Sequence, residues 1–98
     1  MNQQMLRQLN KMKDEMTKAQ EKLEKTEFTG RATGVVAVVQ GTRQIVDLRI
    51  EEELIDLDSQ DILVAAVVAA INDALAQIDK MQTETMGRLS GGMSGFGF

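Results

Sequence analysis

The sequence predicts an α+β fold in which a long N-terminal helix, a three-stranded antiparallel meander and a long C-terminal helix follow one another. Three observations carry this. Apolar residues recur at steps of three and four up to about residue 27 and again from about 59 to 87, the repeat of helices that each show one face to a partner. Between Phe28 and Ile50 the period changes to the alternation of strands, punctuated by Gly30, Gly34 and Gly41. Ten apolar residues then run without a break from Ile62 to Ile71, and these must form the core.

The first segment, Met1 to about Glu27, has no Gly or Pro and is rich in Gln, Lys, Glu and Met, all good helix formers. Met5, Leu9, Met12, Met16, Ala19 and Leu23 give it a narrow apolar seam that needs another helix to lie against. The methionines keep helical spacing and read as adaptable packing, not as a metal or cofactor box. On the outer side Lys11, Lys18 and Lys25 recur every seven residues, with Arg7 and Lys22 close to the same strip. Two readings stand side by side: a ridge that tracks phosphates, or a solvated face in which Asp14 and Lys18, and Glu21 and Lys25, form i,i+4 ion pairs.

Phe28 to Ala32, Val35 to Gln40 and Arg43 to Ile50 are the expected strands, joined by turns at Thr33-Gly34 and Gly41-Thr42. Alternation in the third strand places Val46, Leu48 and Ile50 on one apolar face, where the second helix should pack. The three glycines do not form a phosphate loop, because no Lys-Ser/Thr follows and no helix opens after them. The acidic connection from Glu51 to Asp58 lacks the central Gly of a calcium loop and leads to a helix start, where acids suit the dipole. No metal site is expected. Asp58 or Ser59 is the expected N-cap, with Asp61 in the first turn.

Along the second helix Val64, Val67, Ile71, Ala74, Ile78, Met81 and Thr85 form the seam. Its first half is apolar all round, so it should be covered on at least two sides, which one small sheet cannot do. Ten apolar residues are too few for a bilayer, which takes about 20. A dimer whose core holds Val64, Val67, Val68, Ile71, Val46, Leu48 and Ile50 is therefore expected, since 98 residues bury only a modest core alone. Residues 1–88 read as one domain, and 89–98 as a flexible Gly-rich tail.

Composition excludes much. Without Cys or His the chain has no disulfides, thiolates, imidazole bases or common zinc ligands. It also lacks Tyr and Trp, which argues against base-stacking platforms. With no carboxylate pair in a pocket-forming context, no enzyme, cofactor or small-molecule substrate is expected. The polar N-terminal stretch has no apolar signal core, so the expected location is the cytoplasm, with no membrane span. Net charge is −4, divided unevenly: +3 over residues 1–49 and −7 over residues 50–98. A basic half suits a polyanion while the acidic half limits non-specific affinity.

The Gln/Met-rich first helix (Gln3, Gln4, Met5, Met12, Met16), Gly30 and Gly34 before Val35 to Val39, and Gly41 before the next strand occur in an order that is specific as a set. Leu63, Ala69-Ala70, Asn72-Asp73-Ala74, Met86 and Gly91-Gly92 continue it. Over nearly its whole length the chain resembles the YbaB/EbfC family of bacterial nucleoid-associated proteins. The resemblance implies a tweezer-shaped homodimer whose sheets and second helices form the body and whose long helices project. It also implies binding to double-stranded DNA with little sequence preference, at the nucleoid, with effects on DNA conformation, nucleoid organisation and gene expression. The second helix is poor in basic residues, so the DNA-contacting candidates are Arg7, Lys11, Lys13, Lys18, Lys22 and Lys25, joined by Lys80 and Arg88. Asn2, Gln3, Gln4, Gln8 and Asn10 at the helix tip are within reach of phosphates or groove edges. The alternative is a prefoldin-like holdase or coiled-coil adaptor that uses the Met-rich seams as a client surface.

Overall fold

The first helix begins where Asn2, in extended conformation, accepts a hydrogen bond on its side-chain oxygen from the Met5 N–H at 2.8 Å, which satisfies one orphan donor of the first turn. This helix, α1, spans Gln3–Lys25 in a computed structural model that describes residues 2–91. At its far end Thr26 returns to extended backbone while its hydroxyl donates to the Lys22 carbonyl at 2.6 Å. Strand β1 (Glu27–Ala32) follows at once, then β2 (Val35–Gln40) and β3 (Ile45–Ile50), in a sheet of order β1-β2-β3 with both pairs antiparallel. Two 3-10 turns, Glu52–Leu54 and Leu57–Ser59, lead to α2, Gln60–Gly91.

One face of β2 is the centre of the core. Val35, Ala37 and Val39 are buried there, and α2 lays Ala70, Ala74 and Ile78 against them, with Leu23 of α1 and Phe28 of β1 closing one end. The small side chains bring α2 close to the sheet. A Cβ at Gly30 of β1 would overlap the Ala70 carbonyl oxygen, and one at Gly41 would overlap the Leu23 carbonyl oxygen of α1. These two glycines are therefore sites of close approach, whereas Gly34, at φ +74°, is the turn residue of the first hairpin.

Side chains of α2 also close the outer edge of β1. The Arg31 N–H donates to the Asp73 carboxylate at 3.0 Å, and the Gln77 side-chain amide donates to the Thr29 carbonyl at 2.7 Å. By length and composition alone α2 would suffice to cross a bilayer. Its engagement with the sheet through Asp73, Gln77 and the buried alanines makes it the core helix of this fold.

Three expectations need correction. The third strand starts at Ile45 and not at Arg43, because Arg43 sits in the turn at φ +74°. The apolar row of β3 is Ile45, Leu48 and Ile50, without Val46: the pairing passes from Val38↔Asp47 to Val39↔Ile45, so Val46 is the extra residue of a bulge and the alternation shifts by one. Residues paired across strands point to the same face, so this row lies on the same side as Val35, Ala37 and Val39. Yet α2 covers β1 and β2 and hardly reaches β3, which leaves Ile45 and Leu48 exposed. Finally, α2 does not stop at Gly87. It continues to Gly91, so the first three residues of the expected 89–98 tail are helical, and residues 92–98 lie outside the described part of the chain. A single Gly within a helix costs about 1 kcal/mol, which does not end α2 here.

Two glycines with opposite surroundings test this packing. Gly30→Ala should destabilise the fold by about 2 kcal/mol, because backbone atoms have to move apart. Gly87→Ala, where a Cβ meets nothing within 4 Å, should stabilise it by up to about 1 kcal/mol. Urea midpoints of the two variants measure both effects, and a neutral Gly30→Ala would contradict the close approach.

Candidate nucleic-acid interface

Helix α1 runs antiparallel to α2. Its C-terminal Leu23 packs with Ile78 and Met81, and its middle, at Met16, lies level with Met86 and Leu89. Its first turns therefore reach beyond the end of α2 at Gly91. Met5, Leu6 and Leu9 are about half exposed there, so the seam is bare over this projecting part.

The strip of cations stands away from that seam. At 1.5 Å rise per residue, Lys11, Lys18 and Lys25 are about 10.5 Å apart along the helix, and Arg7 to Lys25 covers about 27 Å. All five cations of the strip, Arg7 and Lys22 included, are exposed. Lys18, Lys22 and Lys25 share one shallow depression with Glu21 and Thr26. Neither Asp14–Lys18 nor Glu21–Lys25 closes into an ion pair: among the described residues the ion pairs are Arg43 with Asp79 and Arg49 with Asp47. Glu24 instead accepts a hydrogen bond from Gln20 at 3.2 Å. In this arrangement the lysines of the strip project into solvent.

Helix electrostatics add to this. The first turn of α1 holds no acid, so the positive end of its dipole is uncompensated at the projecting tip, where Gln3, Gln4, Gln8 and Asn10 are exposed. Lys22 and Lys25 occupy the last turn, where cations are favoured by the opposite end.

The other candidates separate from the strip. Lys13 lines a groove of about 440 Å³ between α1 and α2, beside Met16, Thr17, Met86 and Leu89. Lys80 and Arg88 are exposed on α2, where Arg88 donates to the Thr85 hydroxyl at 3.4 Å, and neither shares a depression with the strip. The contacts of Asp73, Gln77 and the Arg43–Asp79 pair, which tie α2 to the sheet, are not evident in the sequence. The only signal was that Asp73 and Gln77 stand four apart, on one helical face.

The chain matches the profile of the YbaB/EbfC DNA-binding family over residues 1–93. It belongs to that family. A nucleoid-associated protein of Enterococcus faecalis is 44% identical over 94 residues, covering 94% of this chain and 90% of that protein. One from Ligilactobacillus salivarius is 40% identical over 95 residues, covering 95% and 91%. In fold, the chain is similar to the crystal structure of the uncharacterized protein HP0035 from Helicobacter pylori, with a TM-score of 0.73 at 23% identity over 91% of this chain and 97% of that one. The YbaB/EbfC family is a DNA-binding family and not an enzyme family. The helix, meander and helix order described above is thus the YbaB/EbfC architecture in this chain.

Because the α1 acids hold no lysine, Asp14→Asn with Glu21→Gln should leave stability within about 0.5 kcal/mol. Thermal melts at low and high salt check this. A destabilisation above about 1 kcal/mol that disappears in salt would restore the ion-paired reading.

Proposed function

We propose that the protein is a homodimer that binds double-stranded DNA with little sequence preference through the α1 cation strip. In this reading it works at the bacterial nucleoid, altering DNA conformation and with it gene expression. The observation that carries DNA contact is the strip itself: Arg7, Lys11, Lys18, Lys22 and Lys25, exposed and without an ion pair among the described residues along about 27 Å of α1, whose first turns project. That length matches about eight base pairs of duplex at 3.4 Å each. Contacts of this kind position a protein on the backbone without reading sequence.

The argument for a second copy is the uncovered apolar surface. Asp73 and Gln77 mark the flank of α2 that lies over β1. The opposite flank carries Val64, Val68, Ile71 and Leu75, in line with Asp79, which reaches Arg43 in the β2–β3 connection. Val64 is 60% and Val68 50% exposed, and beside them lies the open row Ile45 and Leu48 of β3. Val67 and Ile71, expected in the dimer core, already pack in part against the subunit's own sheet. An uncovered helix flank next to an uncovered strand row forms an apolar corner that an identical corner would fill. The edge of β1 is capped by side chains, so β3 is the edge left for pairing.

One observation favours a second reading, a protein-binding holdase: the bare Met5, Leu6 and Leu9 seam. Suppression of client aggregation with no duplex binding at physiological salt would select it.

For the leading reading, changing Lys11, Lys18 and Lys25 together to Glu should abolish mobility shifts of unrelated duplexes. For wild type, log K against log salt should be steep, falling by about 0.9 for each phosphate contacted. Retained binding in the triple variant would remove α1 from the interface. Val68→Glu with Leu48→Glu should convert a dimer to a monomer in equilibrium centrifugation, and a wild-type monomer at micromolar concentration would overturn the shared core.

A further inference from the structure

Pairing of Arg31 with Val36, and of Val36 with Arg49, puts the two arginines in one cross-strand row. Val35 and Ala37 point towards α2, so this row lies on the other face of the sheet. Two strand spacings separate the arginines, about 10 Å between their Cα atoms. A depression of about 270 Å³ lies at that row and the next one towards the Gly34 turn, lined by both arginines, the half-buried Val36, Gly34 and Glu51, and reached by Val35 and Ile50. No helix packs on this face among the described residues; α2 covers the opposite one.

The two guanidinium groups differ in a useful way. Arg31 is held only through its backbone N–H, by Asp73, and its side chain has no hydrogen bond or ion pair among the described residues. Arg49 is oriented by Asp47, which accepts from its Nε at 3.0 Å, so both terminal nitrogens remain open. Two forks about 10 Å apart at their base, on either side of Val36, suit groups that accept paired N–H bonds. Of the acids on this face, Asp47 is already engaged with Arg49, Glu27 stands two rows away from Arg31 along β1, and Glu51 at the rim opposes an anion.

We propose that Arg31 and Arg49 form a second phosphate-binding site, on the sheet face opposite α2, which holds the duplex backbone independently of the α1 strip. The proposal rests on the DNA-binding reading above. A protein with both surfaces engages a duplex at its projecting arms and at its body, so a bound dimer constrains DNA between several points.

The test uses the full chain and duplexes of unrelated sequence. Arg31→Ala with Arg49→Ala should weaken binding about eightfold for each phosphate no longer held at 0.1 M salt, with the salt slope falling by about 0.9 per phosphate. Arg31→Lys with Arg49→Lys keeps the charge but not the fork and should fall between. Glu51→Gln removes the opposing charge and should tighten binding in the wild-type background but not in the double alanine variant, a dependence that a merely structural role for the arginines does not produce. Circular dichroism and urea midpoints establish that each variant is folded.

If the double alanine variant binds as wild type while the α1 triple variant does not, the sheet site is overturned and the α1 reading stands. If wild type shifts no duplex, both are overturned. NMR of the arginine Nε–Hε groups separates phosphate sources: both signals should move with duplex at micromolar concentration. Movement with millimolar inorganic phosphate and none with duplex would overturn the assignment to DNA.

Discussion

The structure depends on the contact between the small-residue face of α2 and one side of β1 and β2. Ala70 and Ala74 leave room for the sheet to approach the helix backbone, and Gly30 removes the side chain that would keep them apart. Close packing brings many weak dispersion contacts together and excludes water from Val35, Val39 and Ile78. It also lets Asp73 and Gln77 reach the β1 backbone and satisfy edge groups that water would otherwise have to serve. A larger side chain anywhere along this face would lift α2 and release those hydrogen bonds together.

The same packing accounts for what is left open. A helix has one side to offer, and α2 turns it to β1 and β2. The apolar character of residues 62–71 continues around the helix, so Val64 and Val68 stay exposed beside a third strand that the helix does not reach. Apolar surface of that kind is unfavourable in water, and it is arranged as a corner, not scattered. In the proposed dimer this corner would be the shared core, and two copies would present two cation strips to one polyanion.

Charge is divided along the fold as it is along the sequence. Six of the eleven cations are on α1, while acids concentrate from Glu51 to Asp58 in the connection before α2. Projecting helices have little apolar surface to bury and can carry a cation strip at small cost in stability. The connection sits at an α-helix start, where acids are favoured. Within α1 the cations outnumber the acids six to four, and neither Asp14–Lys18 nor Glu21–Lys25 is within ion-pair distance.

Local pattern determined the elements of this protein, because helical and strand periods differ and the chain keeps each one over most of its element. The helix from about 59, the three strands, the Gly34 turn and the α1 seam were all legible at that level, as was the phase of the lysine strip. The family too was legible, in the order of Gly30, Gly34, Gly41 and Asn72-Asp73-Ala74. Only the tertiary structure decided which strands α2 covers, since covering β1 and β2 depends on the close approach at Gly30 and not on the hydrophobicity of β3. The bulge at Val46 was equally hidden: one inserted residue leaves composition unchanged yet moves Ile45 into the apolar row. Whether lysines pair with acids four residues away is likewise a matter of rotamers in solvent, where the gain is too small for spacing to dictate. Periodicity is written in neighbours along the chain, but faces, edges and free charges belong to the packing of segments distant in sequence.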